Sequence, residues 1–166
     1  MTTKISAITP CLWFDKEAED AARFYTDIFG NSRIGSISRY GEEGFEVHGR
    51  PAGSVMTVDF ELNGQPFTAL NGGPLFRFNE AISFQLHCDS QATLDYYWDA
   101  LSAGGDPAAR QCGWLKDRFG VSWQVVPQVM GQLMSGDATA AGRVMNAMLQ
   151  MKKIDIAALQ QARTGN

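Results

Sequence analysis

The sequence predicts an α+β fold made of two similar halves, each running strand, helix, then further strands. Three observations carry that reading. First, "TPCLWFDKEAEDAARFYTDIFG" from Thr9 and "SFQLHCDSQATLDYYWDALSAG" from Ser83 present the same landmarks in the same order. Thr9 stands before Asp15 as Ser83 stands before Asp89, and Ala18 and Ala92 follow their caps equally. Second, within each half the hydrophobic period changes from that of a strand to that of a helix. Third, each half is too small to bury a two-sided core alone. Two copies side by side satisfy both as one curved sheet with helices on its outer face.

The elements follow in order. Residues 5–14 hold alternating aromatic and β-branched residues and read as a strand. Ala18, Ala21, Ala22, Tyr25, Ile28 and Phe29 then fall at helical spacing, with Asp15 as N-cap and Gly30 as stop. "SRIGSISRY" reads as a strand through Ile34 and Ile37. "GEEGFEVHGRPAG" shows no period and reads as a mobile loop. Val58, Phe60 and Leu62 alternate, Asn63-Gly64 marks a hairpin turn, and Phe67–Leu70 return. In the second half "ISFQLHC" is a strand. Asp89 or Ser90 caps a helix carrying Leu94, Tyr97, Trp98 and Leu101, and Gly104-Gly105 ends it. "CGWLKDRFGVSWQVVP" gives two strands around a turn near Phe119-Gly120. Beyond Pro127 the pattern is helical, with Val144, Met145, Met148, Leu149 and Met151 recurring on one face and "IDIAALQQA" closing the chain.

Composition narrows the function. The 166 residues are 45% hydrophobic and 19% charged, as in a soluble globular protein. A net charge of −4 and a pI near 5.1, with no basic run, argue against nucleic acid as a partner. No apolar run reaches the length of a membrane span, and "MTTKISAITP" lacks the apolar segment of a signal peptide. Cys11, Cys88 and Cys112 show no metal-ligand spacing and suit reduced thiols in a cytoplasm.

The stretches "SVMTVDFELNGQPFTALNGGP", "FNEAISFQLHCDSQATLDYYWDALSAGG", "CGWLKDRFGVSWQVVP" and "VMNAMLQMKKIDIAALQQA" resemble the PhnB-like family. That family is labelled demethylubiquinone methyltransferase-like, within the glyoxalase/bleomycin-resistance/dioxygenase (vicinal oxygen chelate) superfamily. The resemblance covers nearly the whole chain. It implies paired βαβββ modules forming a cupped mixed sheet, commonly in a homodimer. The expected domains are residues 1–128, with modules of about 1–76 and 77–128, and a helical extension over 129–166.

In metal-using members of the superfamily, His and Glu from the first and last strand of each module hold a divalent ion. The matching positions here are Thr9, Thr68, Ser83 and Gln124, the last placed by Asp117, Gly120 and Gln124 in "DRFGVSWQ". Three hydroxyls and an amide make a poor transition-metal site. The expectation is therefore no metal and no cofactor. S-Adenosylmethionine is not expected either, because the chain contains no Gly-x-Gly and Gly72-Gly73 leads to Pro74 rather than a helix.

The candidate ligand-binding residues are Thr9, Cys11, Trp13, Thr68, Ser83, Gln85, His87, Trp114 and Gln124. His87 shares a strand face with Ser83 and Gln85 if Phe84, Leu86 and Cys88 turn toward the helices. A hydrogen-bonded histidine near a strand end is favoured over an acid/base role. Cys11 reads as a small hydrophobe before a pocket thiol, and Trp13 and Trp114 as packing anchors before ligand walls. Asp59 and Glu61 read as water-facing, His48 as an ordinary loop residue. The function expected is a small-molecule-binding protein without the usual catalytic metal. The alternative is an enzyme acting on a small oxygenated substrate.

Overall fold

The computed structural model describes residues 5–165, so the first residues of the segment scanned for a leader lie outside it. The chain forms two compact units, Met1–Arg77 and Phe78–Asn166. The strands fall in two mixed sheets, one per unit.

The first unit runs β1 (Cys11–Phe14), α1 (Ala18–Ile28), β2 (Arg33–Arg39), α2 (Phe45–His48), β3 (Val55–Leu62) and β4 (Gln65–Asn71). Its sheet order is β1-β4-β3-β2, with β1 and β4 parallel and the other pairs antiparallel. Leu12, Phe14, Val58, Phe60, Phe67 and Ala69 are buried, and so are Ala18, Ala21, Ala22 and Tyr25 of α1. Small alanines let α1 sit close on the sheet, and the Tyr25 ring stacks on Phe60 at 6.1 Å. Each large apolar side chain buried this way contributes about 1.5–3 kcal/mol.

Four local expectations change. The first strand is shorter than residues 5–14, beginning at Cys11. Asp15 does not cap α1; it pairs with Arg50 at 2.9 Å. The Ala18 N–H is instead taken at 2.8 Å by Oδ1 of Asn71, the last residue of β4, whose Nδ2 donates to the Val55 carbonyl at 3.0 Å. The helix ends in an extended Phe29 rather than on Gly30. The glycine-rich loop holds a helical turn, α2, between left-handed Gly44 and Gly49. His48 organises it, its ring tilted against that of Tyr40 at 4.5 Å while its Nδ1 accepts from the Arg50 N–H at 2.9 Å.

The second unit runs β5 (Phe84–Cys88), α3 (Gln91–Ser102), a 3-10 turn (Pro107–Ala109), β6 (Trp114–Lys116), β7 (Ser122–Pro127), α4 (Met130–Leu133), α5 (Ala138–Leu149) and α6 (Ile156–Thr164). Sheet order is β5-β7-β6. The 3-10 turn stands where the first unit has β2, so this module is one strand short of βαβββ. Ser90 caps α3, accepting from the Thr93 N–H at 3.2 Å. Leu94, Trp98 and Leu101 pack with Leu115, Trp123 and Val125 in the core.

The segment between α5 and α6 joins this unit through backbone bonds. Cys112 and Gly113 donate to the carbonyls of Met151 and Lys152, each at 2.8 Å. No helix among the described residues is long and apolar enough to cross a membrane.

The registers show how alike the units are. Cys11 lies opposite Thr68 in the parallel pair of the first, and Gln85 opposite Gln124 in that of the second. Counting back from each pair aligns Thr9 with Ser83. The same closing bond follows each pair, Gly72 N–H to the Phe14 carbonyl and Gln128 N–H to the Cys88 carbonyl.

Candidate functional site

Alternation along β5 and β7 turns Cys88, Trp123 and Val125 into the core and leaves Gln85, His87 and Gln124 on the opposite face. Gln124 is fixed there from both sides. Its Nε2 donates to Ser83 Oγ at 2.8 Å, and its Oε1 accepts from Gln85 Nε2 at 3.2 Å. A fixed amide presents its remaining polar atoms in one orientation, which lowers the ordering cost of binding. Trp114 lies opposite Gln124 across the antiparallel pair.

These side chains border a cavity of ≈470 Å³ in the second unit, lined by Gln85, His87, Trp114 and Gln124 with Cys112, Val126, Gln128, Met130 and Met148 among others. The structure thus brings four candidates of the second half together at this cavity, and Ser83, outside its lining, is hydrogen-bonded to Gln124. Met130, Met148 and Cys112 complete the lining. Met148 belongs to the helical methionine pattern in the sequence, but nothing in that pattern says that α5 returns to this sheet face. None of the lining residues is Lys, Arg, Asp or Glu.

The candidates of the first half sit elsewhere. Thr9 and Thr68 line a cavity of ≈330 Å³ with Arg33, Asp59 and Glu61. Asp59 accepts from Thr68 Oγ1 at 2.9 Å and from Ser36 Oγ at 2.7 Å, while Glu61 pairs with Arg33 at 2.6 Å. Trp13 is anchored, its indole N–H donating to the Gly73 carbonyl at 2.8 Å and its ring meeting Phe76 edge-on. Cys11 is exposed, and partial burial of its sulfur pushes the thiol pKa up rather than activating it. Burial raises the Cys88 thiol further, to about 11.

The residues standing where metal ligands would be do not fit a divalent ion. Thr68 and Gln124 are engaged by neighbouring side chains, and the set offers only neutral oxygens. Among the described residues no three His, Cys, Asp or Glu side chains gather as a metal-binding group. Gly72 and Gly73 are likewise occupied. A Cβ on Gly72 would fall 2.2 Å from the Trp13 ring, and one on Gly73 2.7 Å from the Arg50 guanidinium.

The turn before β7 explains the "DRFGVSWQ" stretch in structural terms. Asp117, 2% exposed, accepts from the Phe119 and Val121 N–H groups at 2.9 and 3.1 Å through Oδ1. Its Oδ2 accepts from the Trp123 indole at 2.8 Å. Asp117 therefore sets the entry of β7, and with it the position of Gln124.

Comparison with known proteins agrees with this architecture. A PhnB protein from Bacillus cereus is 35% identical, with a TM-score of 0.61, covering 72% of this chain and 98% of its own. Protein PA1353 from Pseudomonas aeruginosa is 23% identical, with a TM-score of 0.52, covering 70% of this chain and 92% of its own, a likeness of fold. No curated protein matches the sequence. The family model described as 3-demethylubiquinone-9 3-methyltransferase matches residues 6–126. With most of its length matched by that model, the chain belongs to the PhnB-like, 3-demethylubiquinone-9 3-methyltransferase family.

Proposed function

We propose that this chain is a small-molecule-binding protein whose site is the ≈470 Å³ cavity of the second unit, working without a resident metal ion. One observation carries the reading: a polar wall of Gln85, His87 and Gln124 shares a single cavity with Trp114, Met130 and Met148. Such a lining suits a molecule with one flat apolar face and a few hydrogen-bonding oxygens. The absence of fixed charge in the lining favours a neutral ligand, since an ion would lose hydration without a counter-charge. The same reading has the chain working as a homodimer, supported by the exposed side chains of Ile5, Ile8, Leu75, Phe76 and Ile82.

The test is a ligand-observed NMR screen of neutral oxygenated fragments, followed by titration of the hits into Gln124→Leu. Hits are expected to move the Met130 and Met148 methyl resonances and to weaken about tenfold in the variant, the equivalent of one good hydrogen bond. Unchanged affinity in Gln124→Leu overturns the assignment. Elemental analysis of protein prepared without a His-tag or chelator is expected to show Zn, Fe, Ni and Mn well below one equivalent. One equivalent, lost in His87→Ala or Gln124→Ala, overturns the metal-free part. Light scattering of the same sample reads the dimer mass.

The enzymatic alternative rests on His87, whose exposed ring borders the cavity. The methyl transfer in the family's name needs a donor. The glycine pair after β4 is closed by Trp13 and Arg50, so calorimetry with S-adenosylmethionine is expected to show no stoichiometric micromolar binding.

A further inference from the structure

Gln124 stands in the middle of a row across the second sheet. It lies opposite Gln85 of β5 in the parallel pair and opposite Trp114 of β6 in the antiparallel pair. Residues paired in this way share a sheet face, and all three line the ≈470 Å³ cavity. A primary amide has two N–H donors and two acceptor lone pairs. Gln124 uses one of each within the wall, donating to Ser83 Oγ at 2.8 Å and accepting from Gln85 Nε2 at 3.2 Å. Among the described residues these are the side-chain bonds the two amides make. Gln124 therefore keeps one N–H and one lone pair, and Gln85 keeps one N–H and all of its Oε1.

Those remaining atoms decide what a ligand must carry. A ketone or an ether brings acceptors alone. It meets the free N–H groups but covers the free amide oxygens without offering them a donor, and a covered acceptor loses its water for nothing in return. A single hydroxyl holds its proton and its lone pairs at one point, whereas the two linked amides offer donors and acceptors from separate atoms. Resting on the cavity reading above, we infer that the ligand is a neutral amide borne on a flat apolar ring, an aromatic carboxamide or a lactam. Its carbonyl accepts from a free N–H of the glutamine pair, and its own N–H donates to a free amide oxygen. The ring lies on Trp114, next to Gln124 in the row, with Met130 and Met148 fitting its outline.

Benzamide and acetophenone are the probes. They share ring and carbonyl and differ by NH₂ against CH₃, so benzamide alone can donate. Binding is followed by NMR on the methionine methyls and on the side-chain NH₂ groups of Gln85 and Gln124. In the wild-type chain both probes are expected to move the Met130 and Met148 methyls. Benzamide is expected to bind about fivefold more tightly and to shift both side-chain amides. Gln124→Met keeps the length of the side chain and removes its polar atoms. It is expected to weaken benzamide about tenfold and acetophenone about twofold, which erases the preference. Gln85→Met, at an exposed position of β5, is expected to weaken benzamide about threefold with the Gln124–Ser83 bond kept. Equal affinity of the two probes in the wild type, with shifts at Met130 and Met148, overturns the amide class and leaves the cavity reading standing. A preference that survives in Gln124→Met does the same. Shifts centred away from Met130 and Met148, or no binding of either probe, overturn the inference together with the cavity it rests on.

Discussion

Asp117→Ala is expected to destabilise the chain by about 3–5 kcal/mol, a large share of the stability of an ordinary domain. The carboxylate holds two backbone N–H groups and the indole of Trp123, which is itself 2% exposed. Alanine leaves three donors without acceptors where water does not easily reach, and each such loss costs about 1–3 kcal/mol. Asp117→Asn is expected to cost less. Its single oxygen can keep the turn, but its NH₂ group then faces the Trp123 donor. Urea unfolding of the three proteins, followed by tryptophan fluorescence, ranks them directly. A loss below about 1 kcal/mol for the alanine variant would rule out this role for Asp117.

Gly105→Ala is expected to cost about 3 kcal/mol or more, by a different mechanism. A Cβ at this position would lie 2.0 Å from the Lys116 carbonyl oxygen and 3.1 Å from the Asp117 carbonyl carbon. Those atoms are backbone of β6 and of the turn that follows, so no side chain can step aside. The end of α3 would have to lift from the sheet. Gly142→Ala is the counterpart of opposite sign. It sits inside α5 with nothing within 4 Å of its added Cβ, so it is expected to stabilise by about 0.5–1 kcal/mol. Thermal unfolding of the pair separates crowding from helix propensity, and similar shifts in both would defeat the argument.

What the sequence made legible was local. The alanine spacing of α1 and the Asn63-Gly64 turn report on residues a few positions apart, and both appear as expected. The repeat was legible in the same way, through strand and helix periods. Its missing strand was not, because Pro107–Ala109 and their neighbours carry no pattern that says a 3-10 turn replaces β2. The capping of α1 escaped because Asn71 is distant in the chain, whereas Ser90 beside α3 could be named. The site divides likewise. Gln85, His87 and Gln124 follow from alternation and register, but Met130, Met148 and Cys112 join them only once the helices after β7 fold back.

The two ways of capping a helix have a kinetic consequence. α3 carries its own N-terminal acceptor, so its first turn can close as soon as residues near Ser90 meet. α1 borrows its acceptor from the end of β4, and its first amide stays unpaired until the β3–β4 hairpin has formed and docked. Distant closure of this kind slows assembly, because loop entropy is lost before the contact stabilises. The second unit is therefore expected to acquire protected helix before the first. In pulse-labelled hydrogen exchange during refolding, Leu94 should gain protection early, and Ala18 only together with the amides of β4. If Ala18 were protected before β4, the helix would be forming without its borrowed cap, and the first unit would begin from its helix instead of its hairpin.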